Sequence, residues 1–530
     1  LLSACTGSDG TSEAPTPSDF ASLIGEGPSP SPIFDPDADV LRVAVPDPST
    51  LDPMRLQDPG SELVARQLYE GLTKWDPIQE KVRPAAAESW SASNGGRTFT
   101  FNLVQGMTFH DGTPVTSHDF AFAFDRIAQK NNASDIAYTL ERVEGFLELN
   151  QFGRGDHLLG IRTPDDTTLV IDLTEPYYDF PVVLTHPGLV PLSESAVSDI
   201  DTFTRFPVGN GPFQLASAWK PGGPVVLKAF PGFVDTPELD GLVFLPYPDA
   251  AASWLQFVQG SIDVAEVPAD SIDLAERTFG TDGFQPALNG YYYGFNLRTT
   301  GLRDRRLREA VSRAIDRHGI ATTIYKDTME QPRGIVPAGM PGFRENICIE
   351  LCKHSPALAR RLVSRLPKKS KTVTIDFSTG TEEPHRRVAK AVQADLEAVG
   401  LKVRIRVFPF SRFLRHLRRG DHGMFRQGWI SEYPAPDEFL SPLFGSSSLD
   451  NHTGFDSAKV DRLLAEAHAE PSGDRRIQLY VEAEKAILRD IPMVPIGTFV
   501  THWAAQDQVN GIVFDATGGF DAVGVSLAQE

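Results

Sequence analysis

Residues 371–407 have the periodicity of a strand, a helix and a second strand. Apolar and polar residues alternate in 373–377 and again in 401–407. Between them, apolar residues at helical spacing run from Val388 to Val399, and the pattern stops at Gly400. Two strands joined in this way lie parallel with a right-handed crossover. The segment therefore predicts an open α/β sheet, a fold that binds ligands beyond the carboxyl ends of its strands.

The stretch 426–436 begins in a further predicted strand, 424–429, and continues into the loop at the carboxyl end of that strand. Its sequence is Arg-Gln-Gly-Trp-Ile-Ser-Glu-Tyr-Pro-Ala-Pro, and a short helix ending near Arg419 precedes the strand. Arg426, Trp429, Glu432 and Tyr433 combine a cation, flat apolar surface and an anion within eight residues. This mixture suits a zwitterionic guest. We interpret the chain as a binding protein and not as an enzyme.

Composition limits the class of protein. A chain of 530 residues, with 41% hydrophobic and 23% charged residues, is typical of a globular protein of about three domains, or two with insertions. The net charge of −20 argues against nucleic acid as a partner, because Lys and Arg supply that affinity. No stretch in the sequence approaches the roughly 18 apolar residues of a membrane-spanning helix.

Residues 1–5, Leu-Leu-Ser-Ala-Cys, resemble the lipobox of a bacterial lipoprotein. The resemblance implies that Cys5 carries a diacylglyceryl group and tethers the protein to the membrane. The Pro, Ser and Gly content of 6–32 suits a flexible tether between anchor and body. A chance occurrence of Leu-Ser-Ala-Cys is the alternative.

Two further cysteines, Cys348 and Cys352, lie four positions apart. In an exported protein such a pair favours a disulfide that closes a small loop. His354 follows closely, so a metal site is the rival interpretation, although a fourth zinc ligand is not apparent nearby.

Motifs of the common enzyme classes do not occur. The sequence has no Gly-x-Ser-x-Gly, no His-Glu-x-x-His and no Gly-x-x-x-x-Gly-Lys, and the glycine loop at 206–213 lacks the Walker lysine. A catalytic triad assembled from distant residues stays open as an alternative. We expect no cofactor and no metal.

Several short sequence motifs resemble those of the peptide-binding family of bacterial solute-binding lipoproteins, the oligopeptide- and dipeptide-binding components of ABC importers. They occur in family order, at 49–53, 69–72, 87–90, 98–101, 109–115, 208–213, 292–296, 314–317, 428–429 and 482–484. The resemblance implies a two-lobed α/β fold of the periplasmic-binding-protein type (type II, cluster C), with an extra subdomain in the first lobe.

The resemblance also implies domain boundaries. Residues 1–38 would be the lipobox remnant and tether. The first lobe would comprise 39–76, 193–289 and 506–530, its subdomain 77–192, and the second lobe 290–505. Two strands near 288–291 and 500–505 would cross between the lobes as a hinge.

Site residues follow from the same resemblance. Family members carry an aspartate for the peptide's α-amino group three residues after the tryptophan, and here Glu432 holds that position. Arg426 and His385 match positions that contact the peptide carboxylate in oligopeptide-type members. Thr379 stands where dipeptide-type members have an arginine, which favours longer peptides. Glu432 as a rim carboxylate and His385 as a solvated first-turn residue are the alternatives.

Aromatic residues complete the predicted site. Trp429 would form a wall of the cleft, or else belong to the core. Tyr433 follows Glu432 in the same loop, and Tyr291, Tyr292 and Tyr293 would line the cleft at the hinge.

The function implied is capture of oligopeptides outside the cytoplasm for delivery to the permease and ATPase subunits of an ABC importer. The protein would be a monomer, anchored by lipid to the extracytoplasmic face of the cell membrane. Haem, a nickel complex or a sugar as ligand, and a secreted hydrolase, are the alternative interpretations.

Overall fold

The computed structural model describes residues 34, 35, 37–379 and 383–528, and for Thr379 the backbone alone. The predicted anchor Cys5 and the tether 6–32 lie outside the described residues. Within this part of the chain, no helix combines the length and apolar character that crossing a membrane requires.

The strands are numbered in chain order. They are β1 (Val40–Val45), β2 (Thr73–Asp76), β3 (Lys81–Pro84), β4 (Ala87–Ser93), β5 (Thr98–Leu103), β6 (Ile161–Asp165), β7 (Thr168–Asp172), β8 (Phe213–Leu215), β9 (Val225–Ala229), β10 (Gly241–Pro246), β11 (Val264–Glu266), β12 (Phe284–Pro286), β13 (Asn289–Phe295), β14 (Met329–Glu330), β15 (Thr372–Thr379), β16 (Lys402–Pro409), β17 (Met424–Ile430), β18 (Met493–Ala505), β19 (Val509–Asn510) and β20 (Ser526–Leu527).

The α-helices alternate with these strands. They span Pro59–Leu68, Ser117–Ala128, Phe180–Val183, Glu194–Val197, Ile200–Phe203, Ala250–Val258, Ile272–Phe279, Arg305–Ala314, Arg317–Gly319, Ile349–Cys352, Pro356–Ser364, Glu383–Ala398, Phe410–Arg419, Asp437–Phe444, Ala458–His468 and Gly473–Asp490. Short 3-10 or π-helical turns span Pro53–Arg55, Lys130–Asn132, Ala137–Leu140, Leu147–Gln151, Ala269–Ser271, Ile320–Ile324 and Lys368–Ser370.

One large sheet runs through the molecule in the order β16-β15-β17-β13-β18-β11-β1-β10-β9-β8, with β12 and β14 also paired to β18. β15 and β16 are parallel and flank the helix Glu383–Ala398, which confirms the strand–helix–strand prediction. β1 is parallel to both β10 and β11. The thirteen-residue β18 connects the two halves of the sheet.

A separate antiparallel sheet has the order β4-β5-β7-β6. The helix Ser117–Ala128 contacts it and begins with a capping box between Thr116 and Asp119. Phe120 and Phe124, one turn apart on this helix, are fully buried. These elements belong to the segment that the sequence assigns to the extra subdomain.

The apolar core divides into two halves. Two clusters draw their buried residues from 41–275 and 503–525, and only Tyr433 and Ala435 join them from elsewhere in the described chain. The other two clusters draw theirs from 288–496. This division is the packing expected for two lobes, and the residue boundaries given above stay a prediction.

Cys348 and Cys352 form a disulfide with their Cα atoms 5.5 Å apart. The disulfide interpretation is therefore confirmed over the metal site. Among the described residues, no group of three or more His, Cys, Asp or Glu side chains could hold a metal ion.

Glu484, in the motif at 482–484, is a buried carboxyl group that accepts backbone hydrogen bonds. Its Oε1 accepts hydrogen bonds from the backbone N–H groups of Ile335 (2.6 Å) and Val336 (3.2 Å), so the helix Gly473–Asp490 holds the loop at 335–336. Burial raises the pKa of Glu484 to about 7, although both hydrogen bonds lower it.

Glu484→Gln is expected to raise the free energy of unfolding by about 1–3 kcal/mol at about pH 8 and by much less at about pH 5. Because the folded-state pKa of Glu484 is raised, its contribution to stability is full below the ordinary carboxyl pKa and is lost as pH rises through about 7. Urea unfolding at both pH values measures the difference. Glu482→Gln, on the same helix but exposed, is the control, and an equal change in both variants would contradict burial as the cause.

Candidate functional site

The central strand of the second half, β17, is paired along its full length on one edge only. β13 pairs with it from Met424 to Ile430. On the other edge β15 pairs with Met424 and Phe425 alone, and no other described strand pairs with residues 426–430 there. Gly428 is exposed, and the Ile430 side chain is 76% exposed. The free edge has the backbone donors and acceptors that an extended ligand needs to add a strand.

Glu432 lies just beyond the end of this edge. Its loop is fixed by Ser431, whose N–H donates to Leu288 O (2.8 Å) and whose hydroxyl donates to Tyr433 O (2.6 Å). Glu432 Oε2 accepts hydrogen bonds from His186 Nε2 (2.7 Å) and from the Tyr138 hydroxyl. Oε1 accepts no hydrogen bond from any residue that the structure describes. One oxygen is therefore held by the protein, and the other is available.

The tautomer of His186 follows from its second contact. The Gly188 N–H donates to His186 Nδ1 (3.0 Å), so in the neutral ring the proton is on Nε2 and points at Glu432. The His186 side chain is 1% exposed. Burial raises the pKa of Glu432. The hydrogen bond and charge of His186, together with the hydrogen bond from the Tyr138 hydroxyl, lower it by a larger amount, so the pKa lies below the ordinary value.

A second carboxylate, Glu62, is close enough to interact electrostatically with His186 and Glu432. It lies in the first turn of the helix Pro59–Leu68, which Asp58 caps by accepting from Ser61 N (2.8 Å). Burial raises the pKa of Glu62. The end of the groove near Glu432 therefore carries two carboxyl groups.

The opposite end of the free edge is cationic. The Arg426 guanidinium lies over the Tyr291 ring, 4.4 Å from its centroid, and donates to His385 Nε2 (3.0 Å). Because arginine cannot accept, this nitrogen of His385 is the acceptor, and Nδ1 carries the proton toward the Tyr325 hydroxyl (3.2 Å). The Arg426 guanidinium is therefore a positive charge whose orientation is set by an aromatic ring.

The remaining aromatic residues of the predicted site are buried or half-buried in the apolar cores. All three tyrosines are buried: Tyr291 and Tyr293 belong to one core cluster and Tyr292 to another. Tyr293 is the cross-strand partner of Arg426, and the Tyr291 ring lies under the Arg426 guanidinium. Trp429 is half-buried against the core cluster that includes Phe439. Tyr433 is buried in the core cluster of the first half, and its hydroxyl donates to Glu438.

Ion pairs connect the two halves around this groove. Arg476 contacts Asp179 at 2.6 Å, and Arg142 contacts Asp437 at 3.2 Å. Burial raises the pKa of Asp437, but His468 and Arg142 outweigh it, so the pKa lies well below the ordinary value and Asp437 is ionised. These ion pairs join the two halves in the conformation observed, and separation of the halves would leave their charged groups without these partners.

His186, Tyr138 and Glu62 were not predicted from the sequence. His186 and Tyr138 lie 246 and 294 positions from Glu432 and occur in no recognisable motif. Glu62 lies in a helix whose apolar periodicity is evident, but nothing in that pattern indicates which polar face meets a ligand. No local sequence signal could have identified them.

A strand with a free edge, with a carboxylate at one end and a guanidinium at the other, lies in a molecule built of two α/β halves. This arrangement is that of a solute-binding protein that holds its ligand between two lobes.

Comparison with known proteins gives the family. Residues 81–451 match the model of the bacterial extracellular solute-binding proteins, family 5, and the chain belongs to this family. The oligopeptide-binding protein OppA of Bacillus subtilis is 24% identical over 89% of this chain and 89% of its own length. The probable deoxycholate-binding periplasmic protein YgiS of Escherichia coli is 27% identical over 85% of this chain and 86% of its own length.

Solved structures have the same fold. HbpA2 from Haemophilus parasuis superposes with a TM-score of 0.82 at 23% identity, covering 93% of this chain and 100% of that one. The periplasmic murein tripeptide binding protein MppA, in its unliganded open form, gives 0.80 at 23% identity, with coverage of 93% and 98%. The predicted two-lobed fold and the family resemblance are confirmed, as is the solute-binding class.

A double-mutant cycle tests the contact between His186 and Glu432. We expect His186→Phe and Glu432→Gln to show a coupling of about 1–3 kcal/mol in the free energy of unfolding, because the hydrogen bond joins a buried donor to a charged acceptor. Since the folded-state pKa of Glu432 is lowered, the coupling is full above the ordinary carboxyl pKa of 4.5 and is lost as pH falls below it. Additive effects at neutral pH would show that the two side chains do not interact.

Proposed function

We propose that this protein binds short peptides in extended conformation along the free edge of β17 and delivers them to an ABC importer. The observation that carries this proposal is the length of unpaired strand between Arg426 and Glu432. Backbone pairing there is independent of peptide sequence, and charged groups at each end set the direction of the chain.

The separation of the two ends limits the peptide length. β17 ends at Ile430, and a chain that stayed extended from 426 to 432 would span about 20 Å, at about 3.3 Å per residue. The side chains of Arg426 and Glu432 take up part of this length. Peptides of about three to five residues would fit between them.

The α-amino group of the peptide would bind at Glu432. His186 and Tyr138 hold Oε2, which orients Oε1 toward the groove and keeps the carboxylate ionised. Glu62 adds a second acidic group near the same point. An ammonium group is the ligand chemistry that two carboxyl groups in a partly dry site favour.

The peptide carboxylate would bind at the other end, at Arg426 with His385 beside it. The Arg426 side chain is oriented by Tyr291, and its Nε is buried without a hydrogen-bond partner among the described residues. An approaching carboxylate would supply that partner. The name of the Bacillus subtilis relative, an oligopeptide-binding protein, supports this ligand class.

In this proposal the protein works at the extracytoplasmic face of the membrane, and Cys5 carries its lipid anchor. The permease and ATPase subunits of the importer are its partners. Native mass spectrometry of the purified protein would detect co-purified peptides, and incubation with a peptide mixture should return them intact. A co-purified bile acid, named for the Escherichia coli relative, in place of peptides would overturn the peptide assignment.

Glu432→Gln is expected to weaken binding of a free tri- to pentapeptide about 10–100-fold, because a charged hydrogen bond contributes about 1.5–3 kcal/mol. Isothermal titration calorimetry measures the change. The N-acetylated form of the same peptide, which lacks the ammonium group, should bind wild type and variant equally weakly. Glu466→Gln removes an exposed carboxylate elsewhere and should leave affinity unchanged. Unaltered affinity in Glu432→Gln would show that Glu432 does not bind the peptide ammonium group.

Arg426→Met is expected to weaken binding of the same free peptide by about 10–100-fold. The C-terminally amidated peptide should bind the wild-type protein and the variant with equal affinity. The physical reason is the loss of the fixed positive charge at the end of the groove near His385. Arg462→Met, at an exposed helical position, serves as the matched control. Equal losses for the free and amidated peptides would assign Arg426 to the structure of β17 and not to the ligand carboxylate.

A further inference from the structure

Positive charge is concentrated in one part of this acidic chain. Residues 353–419 contain 17 Lys and Arg against 5 Asp and Glu, in a protein whose net charge is −20. A third of all Lys and Arg therefore lies in 67 residues. The segment includes β15, β16 and the helices Glu383–Ala398 and Phe410–Arg419.

Within it, the edge strand β16 and the helix Phe410–Arg419 form one continuous surface. Arg406 on β16 donates to His416 on the helix at 3.3 Å, and Phe408 stacks on His416 with ring centroids 4.5 Å apart. The Arg412 guanidinium lies 5.9 Å from the centroid of Phe408. The helix thus packs against Arg406 and Phe408 of β16. Arg404 projects from the same face of the strand, since alternate residues of a strand share a face, and it stays exposed.

Six cations on these two elements are exposed, and none forms an ion pair with a carboxylate of the described residues. We call them the basic edge: Lys402, Arg404, Arg412, Arg415, Arg418 and Arg419. Arg406 differs from them because it pairs with the fully buried Asp376 at 2.6 Å. On the helix, the four arginines lie on the side opposite Phe413 and Leu417, which are buried.

The helix that carries four of these cations begins with an exposed aromatic residue. Phe410 is 62% exposed. An exposed aromatic ring on the same helix as several arginines is the combination by which interfacial helices contact lipid, the ring entering the headgroup layer and the cations meeting phosphates.

We propose that the basic edge docks on the surface of a bilayer that contains anionic phospholipid. Each arginine attracts a lipid phosphate, and Phe410 inserts among the headgroups. A fluid headgroup layer adapts to long, flexible side chains without fixed partners, whereas a rigid acidic protein surface must match each charge in place. The contact is independent of the peptide site and of an acyl chain at Cys5.

Vesicle co-sedimentation of the full chain carrying Cys5→Ser tests the proposal without an acyl anchor. The protein should bind vesicles of phosphatidylcholine with phosphatidylglycerol, should not bind pure phosphatidylcholine, and should be released by salt. Arg412→Gln, Arg415→Gln and Arg418→Gln together should lower the partition coefficient on the order of 100-fold, at about fivefold per charge. Phe410→Ser should lower it further while the dependence on salt stays the same.

The matched control is the triple variant Arg154→Gln, Arg462→Gln and Arg475→Gln, which removes three exposed arginines elsewhere and has the same net charge. It should bind the anionic vesicles as the Cys5→Ser protein does. An equal loss in both triple variants, or no binding to anionic vesicles, overturns the proposal. So does a basic-edge variant that keeps vesicle binding but no longer binds the importer's permease, because the surface would then belong to a protein partner.

Discussion

The candidate site depends on the point at which β15 and β17 separate. Asp376, buried on β15, accepts hydrogen bonds from Arg406 on β16 and from the N–H of Gly423 just before β17. This carboxylate ties three strands together where their common pairing ends. Beyond it β15 continues with β16, whereas β17 continues with β13 alone. The unpaired edge is therefore a consequence of sheet architecture, and the charged groups at its ends act on a ligand whose path is already set.

The fold was predictable from the sequence because its signals are local. Alternating residues in β15 and β16, the apolar stripe of the helix Glu383–Ala398 and the stop at Gly400 each lie within a few residues of one another. The position of the loop after β17 follows from strand order alone. Arg426 and Glu432 could be singled out because both lie on this segment, at opposite ends of the edge.

The other half of the site could not be predicted, for a physical reason. The environment of Glu432 is set by His186 and Tyr138, which reach it only when the two halves of the molecule meet. The sequence also gives no sign of which tyrosine of the run 291–293 faces Arg426, because that depends on the register of β13 against β17. Register places Tyr293 opposite Arg426 and Tyr291 opposite Gly428, and the Arg426 guanidinium lies over the ring of Tyr291.

The long strand β18 has a mechanical consequence. Its partners change from β13 to β14, β12 and β11 along its thirteen residues, so every part of it is held in a ladder. The register shift against β13 falls beside Gly497, where any side chain would collide with Met329. Relative motion of the two halves would therefore twist β18 together with β12 and β13, which pair alongside it. Sliding or separation of the halves would break these backbone ladders, whereas a twist of the strand preserves them.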